Sequence, residues 1–153
     1  RALAGWRAWQ LQGGGAVLVA DAGTCLSLTW IDGNGRFRGG RLSAGLALQL
    51  RSLAQGTAGL PLPEAGTAGP ASPAADPWPA DTAAAMEQGC LKACTAAVHQ
   101  GWQELQAGGQ ACRLWLTGGD GGLLLPELRA AGMEPRLAPD LVLEGLAALA
   151  GVS

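Results

Sequence analysis

The segment from Ala16 to Leu42 constrains this chain more than any other. An apolar run, AVLVA, ends in Asp21-Ala22-Gly23-Thr24. A second run, Leu26 to Ile31, alternates apolar and hydroxyl residues and stops at Gly33-Asn34-Gly35. A third, Arg36 to Leu42, alternates again around Phe37. Asn-Gly flanked by alternating segments is a strong hairpin signal. Three strands this close together predict an antiparallel meander, with Ala16–Ala20 as its buried member. Packing does not require Asp21 and Thr24 where that buried strand turns back. Glycine lets backbone N–H groups approach an anion, and a threonine hydroxyl can donate to a phosphate oxygen. An aspartate beside phosphates is useful when a cation stands between them.

The rest of the pattern alternates helix and strand. Arg1 to Gln12 reads as a helix with Leu3, Trp6 and Trp9 on one face, ended by three glycines. Leu46 to Ala54 is a helix. Gly59 to Pro79 is rich in Pro, Gly and Ala and reads as a surface loop. Asp81 to Gln106 is helical with Asp81 as its cap, interrupted at Gly89 and Gly101, so it is either two helices or one kinked helix. Cys112 to Leu116 is a strand ending at Thr117-Gly118-Gly119-Asp120. A helix over Leu123–Ala131, a short strand over Glu134–Leu137 and a helix over Leu141–Ala150 follow. This order predicts an α/β fold of the ribonuclease-H-like (actin-like ATPase) kind. In that half-domain a three-stranded antiparallel meander continues into parallel strands, with helices on both faces. The expected division is 1–15 as a helix and linker from a preceding lobe, then 16–153 as one lobe. That lobe carries the loop at 59–79 and a helical insertion at 81–108.

Composition narrows the function. Net charge is −2 and Lys92 is the sole lysine, so there is no general basic footprint for nucleic acid. No apolar run reaches the ~18–20 residues of a membrane span. Cys25, Cys90, Cys94 and Cys112 form no paired CxxC knuckles, and His99 is the one histidine, which argues for reduced thiols and against zinc. Neither a P-loop nor a GxGxxG turn occurs. Two glycine turns at strand ends, DAGT and TGGD, are what makes a nucleotide cleft plausible.

These motifs, in order, resemble the type III pantothenate kinases of the acetate and sugar kinase/Hsp70/actin superfamily. DAGT at 21–24 looks like that family's second phosphate motif. GNGRFRGGRLSAG at 33–45 is similar to its G-x-x-x-GG-x-I-x-PG segment, with Ala44 where the family shows Pro. TAGLP at 57–61 matches its TAxLP. Asp81-Thr82 falls at its Asn-Thr, LTGGD at 116–120 at its adenosine motif, and LVLEGL at 141–146 at its closing helix. The resemblance implies transfer of the ATP γ-phosphoryl to pantothenate, the first step toward coenzyme A, by a cytoplasmic homodimer acting on neither nucleic acid nor membrane. It implies ATP with Mg2+ and a monovalent cation, potassium or ammonium, as cofactors. Asp21 would hold the monovalent cation. Gly23, Thr24, Gly118 and Gly119 would contact ATP, and Arg1 and Thr82 would contact pantothenate. The family's catalytic Asp and first phosphate motif would fall before Arg1, which makes this chain a second lobe, expected to be inactive alone. The expected dimer contact is the 81–106 helical region. Its Ala84, Met86, Leu91, Ala97, Trp102 and Leu105 exceed what one small core absorbs. A non-catalytic, transcriptional accessory factor-like regulator of the same fold is the alternative.

Overall fold

A computed structural model describes residues 1–57, 59–60 and 77–151. Its elements run α1 (Ala2–Gln12), β1 (Ala16–Ala22), β2 (Cys25–Ile31), β3 (Phe37–Ala44), α2 (Leu46–Gly56), α3 (Thr82–Ala107), β4 (Cys112–Thr117), α4 (Gly121–Ala130), β5 (Arg136–Leu137) and α5 (Leu141–Ala150). The five strands form one sheet in the order β3-β2-β1-β4-β5. The meander β1-β2-β3 is antiparallel, and β1-β4 and β4-β5 are parallel. This is the mixed sheet of a ribonuclease-H-like half-domain, as the strand order predicts.

β1 is central, and its first five residues are all buried, which explains its unbroken apolar run. Helices cover both faces. On one, α2, α3 and α4 pack Leu50, Met86, Leu91, Val98, Leu124 and Leu128 over Leu18, Ala20, Leu28, Leu114 and Leu116. On the other, Ala4 and Ala8 of α1 and Leu141 of α5 cover Val17, Val19, Ile31 and Trp115. The GNG turn closes as predicted: Asp32 Oδ1 accepts from the amides of Asn34 and Arg36, and Gly35 takes a φ of 79°.

Several expectations change. The buried face of α1 is Ala4, Gly5 and Ala8, while Leu3, Trp6 and Trp9 are only half-buried. A Cβ on Gly5 would meet Ile31 Cγ1 at 2.8 Å, so the helix lies too close to the sheet for large side chains. α3 is one helix running through both glycines. Gly101 is buried because a Cβ there would press on Leu28 Cδ1 at 3.0 Å. α4 begins at Gly121 and α2 ends at Gly56, while β5 is only two residues long. Met86 and Leu91 are core residues, and Ala97, Trp102 and Leu105 pack against that core, so the apolar surplus expected on α3 is absorbed within the chain. The most exposed leucines among the described residues are instead Leu143, Leu146 and Leu149 on α5, with Leu42 on β3. Of the proline-rich stretch, 61–76 lies outside the described residues, as do Ala58 and Pro61 of the TAGLP segment.

Candidate functional site

Register brings the two glycine turns to one place. Asp21 pairs with Thr117 across the parallel β1-β4 ladder and with Ser27 across the antiparallel β1-β2 ladder. Cys25 pairs with Ala44, so the end of β3 arrives at the same edge. The site is thus at the carboxyl ends of two parallel strands, where open α/β sheets bind ligands.

Backbone contacts lock the turns together. The Asp120 amide donates to the Ala22 carbonyl at 2.9 Å, and the Gly45 amide donates to the Thr24 carbonyl at 2.9 Å. The Gly23 amide donates to the Cys25 carbonyl at 3.2 Å. Gly118 has a φ of 90°, and a Cβ on it would collide with the Ala22 carbonyl and lie 2.7 Å from Asp21 Oδ1. The Asp21 carboxylate therefore rests against the bare Cα of the second turn. Gly45 is equally constrained, because a Cβ there would collide with the Gly23 carbonyl. Gly119, by contrast, has open space around its Cβ position.

Two helices, α2 and α4, start at this edge. Their cap residues, Gly45 and Asp120, make no side-chain cap bond. The first-turn N–H groups of both helices carry partial positive charge and are suited to an anion. Thr24 is exposed beside them and Asp21 is half-buried. Asp120 is half-buried too, and burial pushes its carboxyl above the ordinary range. Behind it, Gln49 Nε2 donates to the Ala44 carbonyl at 2.8 Å and contacts Cys94 Sγ at 3.2 Å, bracing α2 against α3.

Asp21, Gly23, Thr24, Gly118 and Gly119 come together; Arg1 and Thr82 do not join them. The Arg1 guanidinium lies 5.9 Å from the Phe37 ring centroid, and Phe37 pairs with Ile31 at the far end of β2. Thr82 opens α3, exposed, where Asp81 Oδ1 caps the helix by accepting from the Ala84 amide at 3.0 Å. At 1.5 Å per residue, Thr82 stands about 18 Å of helix axis before Cys94. Residues that sequence reasoning left out of the site are Gly45, Gln49 and Asp120. Gly45 and Asp120 both lie in motifs quoted above, Asp120 as the last residue of TGGD, whereas Gln49 carried no signal.

Comparison with known proteins gives this geometry a family. The model of the type III pantothenate kinase family matches residues 1–104. The chain belongs to the type III pantothenate kinase family. Curated type III pantothenate kinases from Synechococcus sp. (strain JA-3-3Ab) and Laribacter hongkongensis are each 40% identical to it. The first aligns over 147 residues, 96% of this chain and 59% of the relative, and the second over 145, 93% and 55%. One from Alkalilimnicola ehrlichii is 41% identical over 135 residues, 87% of this chain and 50% of the relative. The chain thus spans little more than half the length of these pantothenate kinases. A crystal structure from Campylobacter jejuni, of a protein named as a Baf family transcriptional activator, superposes with a TM-score of 0.58 at 21% identity. It covers 95% of this chain and 61% of that one, which supports the fold.

At this edge Asp21 would offer a cation a carboxylate beside the second glycine turn. Among the described residues no cluster of three His, Cys, Asp or Glu side chains could hold a metal. That donor set suits a cation completed by substrate phosphates and water, not a closed protein cage. All four cysteines are free, with Cys90, Cys94 and Cys112 buried. Among the described residues no helix is long and apolar enough to cross a membrane.

Proposed function

We propose that the parent of this chain transfers the γ-phosphoryl of ATP to the primary hydroxyl of pantothenate, the first step toward coenzyme A, and that this lobe supplies the phosphate-binding edge. The supporting observation is the meeting of DAGT and TGGD at the carboxyl ends of β1 and β4, with two helix N-termini aimed at the same edge. Phosphoryl transfer is mostly positioning and charge neutralisation, and this edge offers both. Gly23 and Thr24 bind phosphate oxygens, and Gly118 and Gly119 let the adenosine lie against backbone. Asp21 holds a monovalent cation, potassium or ammonium, near the phosphates, and Mg2+ accompanies the ATP. Bound cations offset phosphate charge.

Arg1 and Thr82 are the pantothenate contacts in this reading. Both lie apart from the phosphate edge, so pantothenate approaches from outside it, with a residue beyond this chain accepting the hydroxyl proton. A homodimer in the cytoplasm, acting on neither nucleic acid nor membrane, belongs to the same reading, as does the division into a linker helix at 1–15 and a lobe from 16.

Mass-spectrometric detection of phosphopantothenate from ATP, pantothenate and potassium tests the proposal. A protein joining this lobe to the remaining length of its relatives should give product, Asp21→Asn should reduce it about 10²-fold or more, and the 153-residue chain alone should give none. A folded full-length protein without product would overturn the kinase reading in favour of a regulator.

A further inference from the structure

Helix α5, LVLEGLAALA, carries a single charged residue, Glu144. A helix with one wet face spreads polar and charged residues over it, whereas a helix apolar all round belongs in an interior. Yet only Leu141 and Gly145 of α5 are buried. Leu143, Leu146 and Leu149 are 64%, 53% and 65% exposed. Residues three apart are neighbours on a helix surface, so these leucines form one stripe. Ala148 and Ala150 are exposed beside them. The exposed residues of α3, by contrast, include Lys92, Gln100, Gln103 and Glu104. Leucines exposed singly need no explanation, but a continuous apolar stripe marks an interaction surface.

The position of α5 bears on what covers it. α5 packs on α1: a Cβ on Gly145 would fall 2.9 Å from Leu3 Cγ, and Arg7 Nε lies 3.8 Å from Glu144 Oε2. Leu3 is two residues from Arg1, so the entrance to α1 is within about 7 Å of chain of the middle of α5. The relatives from Synechococcus sp. (strain JA-3-3Ab) and Laribacter hongkongensis are matched over 59% and 55% of their lengths. The lobe proposed to precede α1 would therefore be tethered beside the stripe. Tethering gives it an effective concentration of about millimolar, which favours it over a second copy of the chain. The one charge on α5 is already turned to Arg7, so the stripe fits an apolar surface.

We infer, resting on the two-lobe reading of the parent and on none of its chemistry, that the Leu143-Leu146-Leu149 face of α5 is the seat of the parent's other lobe. An apolar face of that lobe closes over the stripe and buries it, as interfaces between domains of one chain do. α5 thereby becomes an interior helix, with α1 on one side and the other lobe on the opposite side.

Thiol labelling of Leu146→Cys in a Cys25→Ser background tests this. The variant is made in the 153-residue chain and in a protein joining it to the remaining length of its relatives. Buried Cys112, which stays unlabelled in folded protein, reports that each is folded. Maleimide should modify the introduced thiol of the 153-residue chain rapidly, at a rate independent of protein concentration. In the full-length protein the rate should fall at least about tenfold. Leu143→Cys repeats the comparison at a second position, in case one substitution disturbs the packing. Equal rates in the two proteins at both positions would overturn the inference. So would protection of the 153-residue chain that grows with its concentration, because a second copy would then be the occupant. Protection in a full-length protein that makes no phosphopantothenate would refute the kinase reading and leave the docking face standing.

Discussion

Gly118 and Gly119 look alike in sequence and differ in every physical respect. Gly118 has a positive φ and no room for a Cβ, whereas Gly119 has neither constraint. Gly118→Ala should therefore lose about 1–3 kcal/mol, from backbone strain and overpacking, and Gly119→Ala should change stability by less than about 0.5 kcal/mol. Urea unfolding midpoints at constant slope decide this, and equal losses would show that the turn is placed wrongly. Asp120 gives a pH-dependent contrast. Burial raises its folded-state carboxyl above the ordinary value, so ionisation costs stability above the folded pKa and costs nothing below the unfolded one. Asp120→Asn should raise the melting temperature at neutral pH, and the gain should fade as pH falls through the carboxylate range. A gain that grows at low pH would contradict the burial argument. Thiol chemistry should separate the cysteines: Cys25 is exposed, while burial pushes the Cys112 thiol up to about 12 and also raises Cys90 and Cys94. Intact-mass analysis after brief maleimide treatment of the native chain should show one adduct, at Cys25. DAGT was legible because its residue types already state an anion-binding chemistry. Asp120 was not, because an aspartate before a helix reads as an ordinary cap until the structure shows it uncapping.

At the scale of elements, periodicity located the strands well and misjudged how two helices are used. α1 was read from its large apolar residues, but the sheet accepts only its Ala-Gly-Ala face. Hydrophobic spacing measures which side chains prefer burial and is silent about how near a helix approaches. α3 kept two glycines without breaking, because Gly101 is held by close packing on β2, while Gly89 is exposed and simply tolerated. Its start was legible: Asp81 caps it through the Ala84 amide. Asp81→Ala should cost about 1 kcal/mol, measured as a shift in denaturation midpoint, and no shift would mean that the helix end frays in solution.

At the scale of the whole molecule, the described residues form a five-stranded sheet whose β1 and β4 carboxyl ends gather both glycine turns. Strand order was legible from the sequence because a meander followed by helix-strand alternation leaves few unknotted topologies. The two strand-end glycine turns made a cleft plausible from the sequence, but its register was not legible, since no local pattern states that Asp21 lies opposite Thr117. The placement of Arg1 and Thr82 away from it could not be read from motif order at all. This edge is proposed to receive nucleotide phosphates. Backbone amide spectra of the 15N-labelled chain, recorded as ATP is added with magnesium and potassium, test it most directly. The amides of Gly23, Thr24, Gly118, Gly119 and Asp120 should shift together and saturate, and those of Arg1's neighbour Ala2 and of Thr82 should stay in place. Shifts confined to other parts of the chain, or none at these five amides, would contradict it.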